Sequence, residues 1–352
     1  MFNGGIYMTA YSKNINVLIT SVGNIGVGNN ILNALKLSDM PLNIIGIDIS
    51  EFNIPVDRLN SFYKIPRVQE PSYKKEITDI IIKNHVDIIF VGCEQEYHFF
   101  QSYRKFYEKL GAYVVINSDE LGEIGFDKYK TYEYLKNKNI NVPKYCKLNN
   151  IEDCKNINFF PVVIKPNKGS ASSQNVFIAF DIDDAKAFSR YLLNLNVEVI
   201  AQEYVGNSES EYTIQVTSDS SGNVLGCIIT KRNFDSGISY KNKLIYNGQS
   251  YIISSGITQG EILHNDFIKS QAINISLALN SRGPLNIQGM FVNDVFWIIE
   301  VHPMITGSVY IRALAGYNEP ENIIKKEILN ENVHYNYTDA KIVRELISRI
   351  KY

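Results

Sequence analysis

The sequence has no apolar run near the roughly 18–20 residues that cross a bilayer, which excludes a membrane-spanning helix. Cysteines are scarce: Cys93, Cys146, Cys154 and Cys227 in 352 residues, with no CxxC pair and no histidine cluster. That excludes a recognisable zinc module and points to reduced, buried thiols. Net charge is almost missing, with 35 Lys and Arg against 37 Asp and Glu. A surface built throughout for nucleic acid is therefore excluded, although a local basic pocket is not. Met1 to Ser12 lack the basic start and apolar stretch of a secretory signal. They read as a disordered leader, with Met8 an alternative start. These absences together place the chain in the cytoplasm.

What is present is a large aromatic complement. Twenty-three Tyr and 17 Phe exclude a disordered chain, and the length suits two or three domains. From Asn16 to Ile116, short continuous apolar runs (NVLIT, LNIIGIDI, VDIIFVG, AYVVI) alternate with helical stretches. That pattern predicts βαβ units and a parallel sheet. Beyond residue 118 the strands run against one another: Phe160–Lys165, Asn175–Ala179, Val199–Tyr204, Glu211–Thr217, Val224–Thr230, Ile287–Val292 and Val295–Val301. They predict an α+β part with antiparallel sheets. Asn233–Ile253, rich in Tyr, Asn, Ser and Gly, reads as a mobile loop for substrate.

Four places carry chemistry. Gly23, Gly26 and Gly28 sit between a strand and a helix, with Asp48 at the end of the next strand. This is either a dinucleotide fingerprint or a tight turn with no nucleotide, and the GxxGxG spacing favours the turn. Lys165 ends a strand before Gly169-Ser-Ala-Ser-Ser173, where an ammonium and small residues suit a phosphate chain; a surface hairpin is the alternative. Gln202–Tyr212 holds a strand end, a turn and Glu211, which suits a heterocycle and a ribose or else is an acidic turn. Across the Asn293-Asp294 hairpin, Gln288 and Glu300 face each other, with His302 two residues on along the same face. Oxygen donors so placed suit Mg²⁺ shared with phosphate, and a half-buried polar face is the other reading. Glu94 and Glu96, at the carboxyl end of a parallel strand, are candidate substrate contacts or merely the first turn of a helix.

In this order the four pieces resemble the ATP-grasp superfamily, particularly the branch similar to carbamoyl-phosphate synthetase large-chain domains. The most specific stretches are Glu300-Val-His-Pro-Met-Ile-Thr-Gly through Gly316 and Asp127 to Tyr145, and the likeness runs from about Asn16 to Pro320. It implies a Rossmann-like pre-ATP-grasp domain (13–118), then a two-lobed ATP-grasp fold with a small lobe (119–200) and a large lobe ending in helices (201–352). It implies that Lys128 and Lys165 contact ATP phosphates beneath a lid formed by Ser170, Ser172 and Ser173. Glu203, Tyr204 and Val205 would form the adenine hinge and Glu211 would bind ribose. Gln288, Glu300 and His302 would meet Mg²⁺, or Mn²⁺ in its place. Lys231 would reach phosphates or substrate. Two positions depart from the family: His302 stands for its asparagine and Met304 for its arginine, a charge that Arg312 would have to supply.

The implied enzyme is an ATP-grasp ligase joining a small carboxylate to a small amine, with no nucleic-acid or membrane partner and with a homodimer as the default assembly. A nucleotide-binding protein that does not ligate, a small-molecule kinase and a Rossmann dehydrogenase are the alternatives. The last leaves residues 120–316 without explanation.

Overall fold

The computed structural model describes residues 14–23, 26–52, 54–169 and 173–345. The leader Met1–Ser12 and the loop residues Ser170 and Ser172 lie outside them. The chain divides into two compact units, Met1–Val114 and Val115–Tyr352.

In the first unit β1 (Ile15–Ile19), β2 (Leu42–Asp48), β3 (Ser61–Lys64), β4 (Ile88–Phe90) and β5 (Tyr113–Val115) form a sheet of order β3-β2-β1-β4-β5. The β1–β2, β2–β3 and β1–β4 pairs are parallel, and the order is that of a doubly wound sheet. Helices α1 (Val27–Leu35), α2 (Tyr73–Lys83) and α3 (Glu94–Lys109) alternate with the strands. Continuous apolar strands follow from this winding, because helices cover both faces.

The glycine turn after β1 braces itself. The Gly23 amide donates to Asp48 Oδ2 at 2.9 Å, while Asp48 Oδ1 accepts from Ser50 N at 3.0 Å just beyond β2, so one oxygen of Asp48 holds the glycine turn and the other the chain that follows β2. Gly28 is required for packing, since a Cβ there would lie 2.3 Å from Thr20 O and 2.4 Å from Ser21 O. Backbone oxygens cannot yield as a side chain can. Gly28→Ala is therefore expected to destabilise the first unit by about 3 kcal/mol, read as an early transition in urea unfolding.

The second unit opens with α4 (Asp119–Gly125) and α5 (Lys128–Asn137), each capped by an acceptor side chain: Ser118 for Leu121 N and Asp127 for Lys130 N. Strands β6 (Tyr145–Leu148), β7 (Val162–Pro166), β8 (Phe177–Ala179) and β9 (Val199–Glu203) form an antiparallel sheet of order β6-β9-β7-β8. Helix α6 (Ile182–Asn194) packs on it through Ala185 and Leu192.

The larger sheet holds β10 (Glu211–Ser218), β11 (Val224–Arg232), β14 (Gly260–Leu263), β15 (Pro284–Val292), β16 (Val295–His302) and β17 (Ala340–Ile342) in the antiparallel order β16-β15-β10-β11-β14-β17. Helix α7 (Asp266–Ala278) covers one face through Ile268, Ala272 and Ile275, which pack with Ile214, Val216, Ile287 and Ile298. Alternation then leaves Glu211, Thr213, Gln215 and Thr217 of β10 on the other face. Short helices α8 (Val309–Leu314) and α9 (Glu319–Glu327) follow β16.

The stretch read as a mobile loop is instead a hairpin. Strands β12 (Tyr240–Tyr246) and β13 (Gln249–Ser254) pair around Asn247-Gly248, both with positive φ (47° and 76°). An Asn-Gly pair with φ > 0 at both residues is a turn whose twist matches antiparallel strands. Aromatic contacts seat the hairpin on the smaller sheet: Tyr246 stacks on Phe180 at 3.9 Å and Tyr251 meets Tyr204 at 5.2 Å. No described helix is long and apolar enough to cross a membrane.

Candidate functional site

One cavity in the second unit gathers side chains from both sheets and from the hairpin. Its apolar walls are Val163 and Val176 on the smaller-sheet side, Met290 and Ile299 on the larger sheet, and Ile252 and Ile253 on β13. Glu203, Tyr204 and Val205 lie along one edge, where β9 ends. Tyr204 ties this edge to β13: its hydroxyl donates to Ile252 O (3.3 Å) and accepts from Ile252 N (2.9 Å). Tyr204→Phe removes both bonds while keeping the ring. The expected result is a folded protein with about tenfold weaker nucleotide binding, some 1.4 kcal/mol, measured by titration with a fluorescent ATP analogue.

The charged part of the cavity is built from four elements. Lys128 begins α5 and Lys165 lies near the end of β7, both buried. Gln288 of β15 pairs in register with Glu300 of β16. A bulge between Gln288 and Gly289 places Ile298, not Ile299, opposite Gly289. The extra residue lets Ile299 and Glu300 both line the cavity, which successive residues of a regular strand do not do. Tyr132 braces the bulge by donating to Ile299 O.

Electrostatics pull these groups together. Burial alone raises the Glu300 carboxyl, but Lys128 at 3.1 Å, His302 and Lys165 outweigh it and bring its pKa down to about 2. Burial lowers the Lys165 ammonium, Lys128 lowers it further, and Glu300 only partly restores it, leaving it at about 7. Lys165 donates to Gln202 Oε1, and the Tyr132 hydroxyl shares its single proton between that oxygen, at 2.6 Å, and Ile299 O.

The two oxygen donors, an amide carbonyl and an ionised carboxylate, fit Mg²⁺. That ion keeps waters and takes phosphate oxygens beside one or two protein ligands. Among the described residues no group of three or more His, Cys, Asp or Glu side chains is arranged for a metal, so a site closed entirely by such side chains is not what this geometry offers. His302 shares the Glu300 face of β16 but stands edge-on to Phe126 at 5.3 Å, with its Nδ1 buried and without a partner. It does not line the cavity with Gln288 and Glu300.

The other expected residues divide. Ser173 and Glu211 line the cavity. Glu211 also accepts from Arg232 Nη1 at 2.9 Å, a partner that sequence reasoning missed. Antiparallel register explains the miss: Lys231 pairs with Tyr212, whose ring belongs to the core, so alternation sends Arg232 toward the cavity side. Lys231 is thus kept from the cavity and lines a neighbouring one. Arg312 does not reach the cavity either. Its side chain is 0% exposed, and its guanidinium donates to Gln215 Oε1 (2.7 Å), Thr213 Oγ1 (3.2 Å) and Asn286 Oδ1 (3.1 Å). These acceptors lie on the same sheet face and hold it there. Met304 is likewise buried, 4% exposed.

In the first unit Glu96 is already engaged, accepting from Ser21 Oγ (2.8 Å), Tyr73 OH (2.9 Å) and Cys93 Sγ (3.2 Å). It holds the strand ends together and has little left for a ligand. Glu94 is more exposed and lies 3.9 Å from His98.

A parallel-sheet unit followed in sequence by two antiparallel sheets that share one charged cavity is the architecture of the ATP-grasp enzymes. The chain belongs to that family: the ATP-grasp domain matches residues 126–308. Family membership makes ATP its nucleotide, Mg²⁺ its metal and ADP-forming ligation the class of its chemistry. Solved structures with this fold include the ADP complex of N5-carboxyaminoimidazole ribonucleotide synthetase, with a TM-score of 0.66 and 16% identity over 92% of this chain and 79% of that one. The L-amino acid ligase from Bacillus licheniformis follows at 0.61 and 16%, covering 90% and 74%. D-alanine–D-alanine ligase from Bacillus anthracis gives 0.57 and 15%, covering 90% and 97%. At these identities the likeness is one of fold. No curated protein matches the chain.

Proposed function

We propose that the protein joins a small carboxylate to a small amine, forming an amide through an acyl phosphate and releasing ADP and phosphate. The observation that carries this reading is the convergence of Lys128, Lys165, Gln288 and Glu300 at one end of an apolar slot edged by Glu203–Val205. In this reading Val163, Val176, Met290 and Ile299 sandwich the adenine, and the strand-end backbone at Glu203 and Val205 meets its edge. Glu211 faces the ribose, and the two buried lysines lie along the phosphates beside Ser173.

Magnesium held by Gln288 and Glu300 would neutralise phosphate oxygens on that side. The acceptor's carboxylate oxygen attacks the γ-phosphorus, and the bond to the ADP oxygen breaks with its electrons going to ADP. The amine nitrogen then attacks the acyl carbon, phosphate departs with the C–O electrons, and the amine proton passes to water. Phosphoryl transfer of this kind rests on positioning and charge neutralisation. Among the described residues no arginine lines the cavity, so Lys128 and Lys165 are the cations that meet the transferred phosphate. Small-molecule substrates and a cytoplasmic place go with this reading.

The test is release of ADP and phosphate from ATP and Mg²⁺ across pools of amino acids, small carboxylates and amines. Turnover that needs one carboxylate and one amine, with the matching amide found by mass spectrometry, supports the ligase. Turnover whose product is a stable phosphate ester, with no amide, overturns it in favour of a kinase.

A further inference from the structure

Lys128 and Lys165 come from different elements, α5 and β7, yet one residue touches the chain beside both. Asn167 follows β7 directly, two residues beyond Lys165, and is 1% exposed. Its backbone O accepts from the Lys128 amide (3.1 Å) and its Oδ1 from the Tyr129 amide (2.8 Å). The first amides of a helix have no partner within the helix. Here Asn167 takes the first two of α5, and Asp127 Oδ1 takes the third, from Lys130 (3.0 Å).

The same residue is tied on its other side. Its backbone N–H donates to the O of Glu198 (2.8 Å), the residue before β9, and its Nδ2 donates to Asp127 Oδ1 (2.9 Å) and Glu198 Oε2 (3.2 Å). Every polar atom of Asn167 is therefore engaged, and only one orientation of its amide gives Tyr129 an acceptor and Asp127 a donor. A buried polar group satisfied in this way specifies one arrangement. The charged groups around it are Asp127, Glu198 and Lys168, whose ammonium lies 3.3 Å from Asp127 and 3.5 Å from Glu198. Lys147 pairs with Glu198 from β6 at 3.0 Å. Strand β7 is held on both edges by β8 and β9, so the start of α5 is the part whose place depends on Asn167.

We propose that Asn167 is a positioning residue for the nucleotide: it fixes the start of α5 against the end of β7, and so places Lys128 at the distance from Lys165 that the phosphates require. The inference rests on the reading that these two lysines meet the phosphates. Asn167 touches neither ammonium; it fixes the backbone from which Lys128 projects. That place matters twice, because Lys128 also pairs with Glu300 at 3.1 Å. A shift of the helix start draws it from Glu300 and from phosphate together, and a misplacement of about 1 Å is costly in a site that works by positioning.

The experiment is titration of the full chain with a fluorescent ATP analogue and Mg²⁺, which needs no turnover. Asn167→Ala is expected to weaken binding about tenfold, as loss of a residue that orients a ligand does. Leu192→Ala is the control: its side chain is 0% exposed in the core between α6 and the smaller sheet. It loosens the same sheet without touching Asn167, and ATP affinity is expected to stay at the wild-type level well below its unfolding temperature. A double variant tests the route. In a Lys128→Met background the further loss from Asn167→Ala should shrink to less than about threefold, because residues that act through one another are not additive.

Asn167→Asp tests the hydrogen bonds themselves. Near pH 8 the introduced carboxylate repels Asp127 and Glu198, and ATP should bind about as weakly as to Asn167→Ala. Like charges raise its pKa, so as pH falls toward about 5.5 it takes a proton, and the O–H donates to Asp127 as the amide did. Affinity relative to wild type at the same pH should then recover, and that of Asn167→Ala should not. Wild-type affinity in Asn167→Ala overturns the proposal, as do an equal loss in Leu192→Ala, full additivity with Lys128→Met, or no recovery in Asn167→Asp. Wild-type affinity in Lys128→Met instead removes the reading of the lysines as phosphate contacts, and this inference with it, so the two fail by different results.

Discussion

Glu300→Gln is expected to abolish ATP turnover, with kcat lower by about 10²–10³-fold or more, and also to destabilise the protein without nucleotide. The two losses have one origin. Glu300 is held ionised against its own burial because Lys128 lies 3.1 Å away. A neutral amide leaves the buried Lys128 ammonium without its counter-charge and removes the carboxylate that raises the Lys165 pKa. Breaking a buried pair costs about 3–5 kcal/mol; the Glu300 side chain is 23% exposed toward the cavity, so about 2 kcal/mol is the better expectation.

The sign with pH follows. The folded pKa of Glu300 lies below its ordinary value of 4.5, so its contribution is complete above pH 4.5 and is lost as pH falls toward about 2. Urea unfolding of wild type and variant should therefore differ at pH 7 and converge near pH 2. A Lys128→Met/Glu300→Gln double variant separates the effects, recovering stability but not turnover, because replacing both members by uncharged side chains leaves no unpaired charge. Turnover by Glu300→Gln at the wild-type rate would remove Glu300 from the chemistry.

Much of this arrangement was legible in the sequence, and the reason differs element by element. The parallel sheet showed because β1, β2 and β4 are buried on both faces, which turns them into continuous apolar runs. The hairpin showed because Asn293-Asp294 makes a two-residue turn, with φ of 51° and 61°, but the register that the turn sets runs from Val292–Val295 to Gly289–Ile298 and would put Ile299 opposite Gln288; the bulge is what brings Glu300 there. The bulge at Ile299 was hidden, since no residue type there demands it. The β12–β13 hairpin was missed although Asn247-Gly248 was in plain view. Strand β12 is mostly exposed and the segment is rich in Tyr, Asn, Ser and Gly, so composition argued for a loop, while the aromatic contacts that seat it come from Phe180 and Tyr204, far away in sequence.

The cations were the hardest. Choosing Lys231 over Arg232 is an error of one residue, and in a strand one residue is the difference between two faces. Arg312 was expected to reach back to the site from a helix start eight residues beyond Met304. Its partners Thr213, Gln215 and Asn286 come from strands that a reading along the chain cannot place beside it.

Lys165→Met should have opposite effects on stability and on nucleotide binding. Lys165 is buried, and burial with the repulsion of Lys128 lowers its pKa from 10.5 to about 7. A base whose folded pKa is depressed destabilises the fold wherever the unfolded chain keeps it protonated. The penalty is full below pH 7 and fades as pH rises toward 10.5. Methionine fills a similar volume without charge, so the apo variant should be more stable than wild type by about 2 kcal/mol at pH 6, with the difference shrinking by pH 10. Binding moves the other way. Phosphate oxygens beside Lys165 favour its charged form, so ATP brings a proton with it above pH 7, and affinity falls by up to about tenfold per pH unit there. Calorimetry in buffers of different ionisation enthalpy should find uptake of nearly one proton near pH 8 in wild type and none in the variant, whose ATP affinity should be lower by about 100-fold at pH 7. On the proposed function, a lysine kept where it weakens the fold would be explained by what it does for the nucleotide. Equal proton uptake in both proteins would place the titrating group elsewhere.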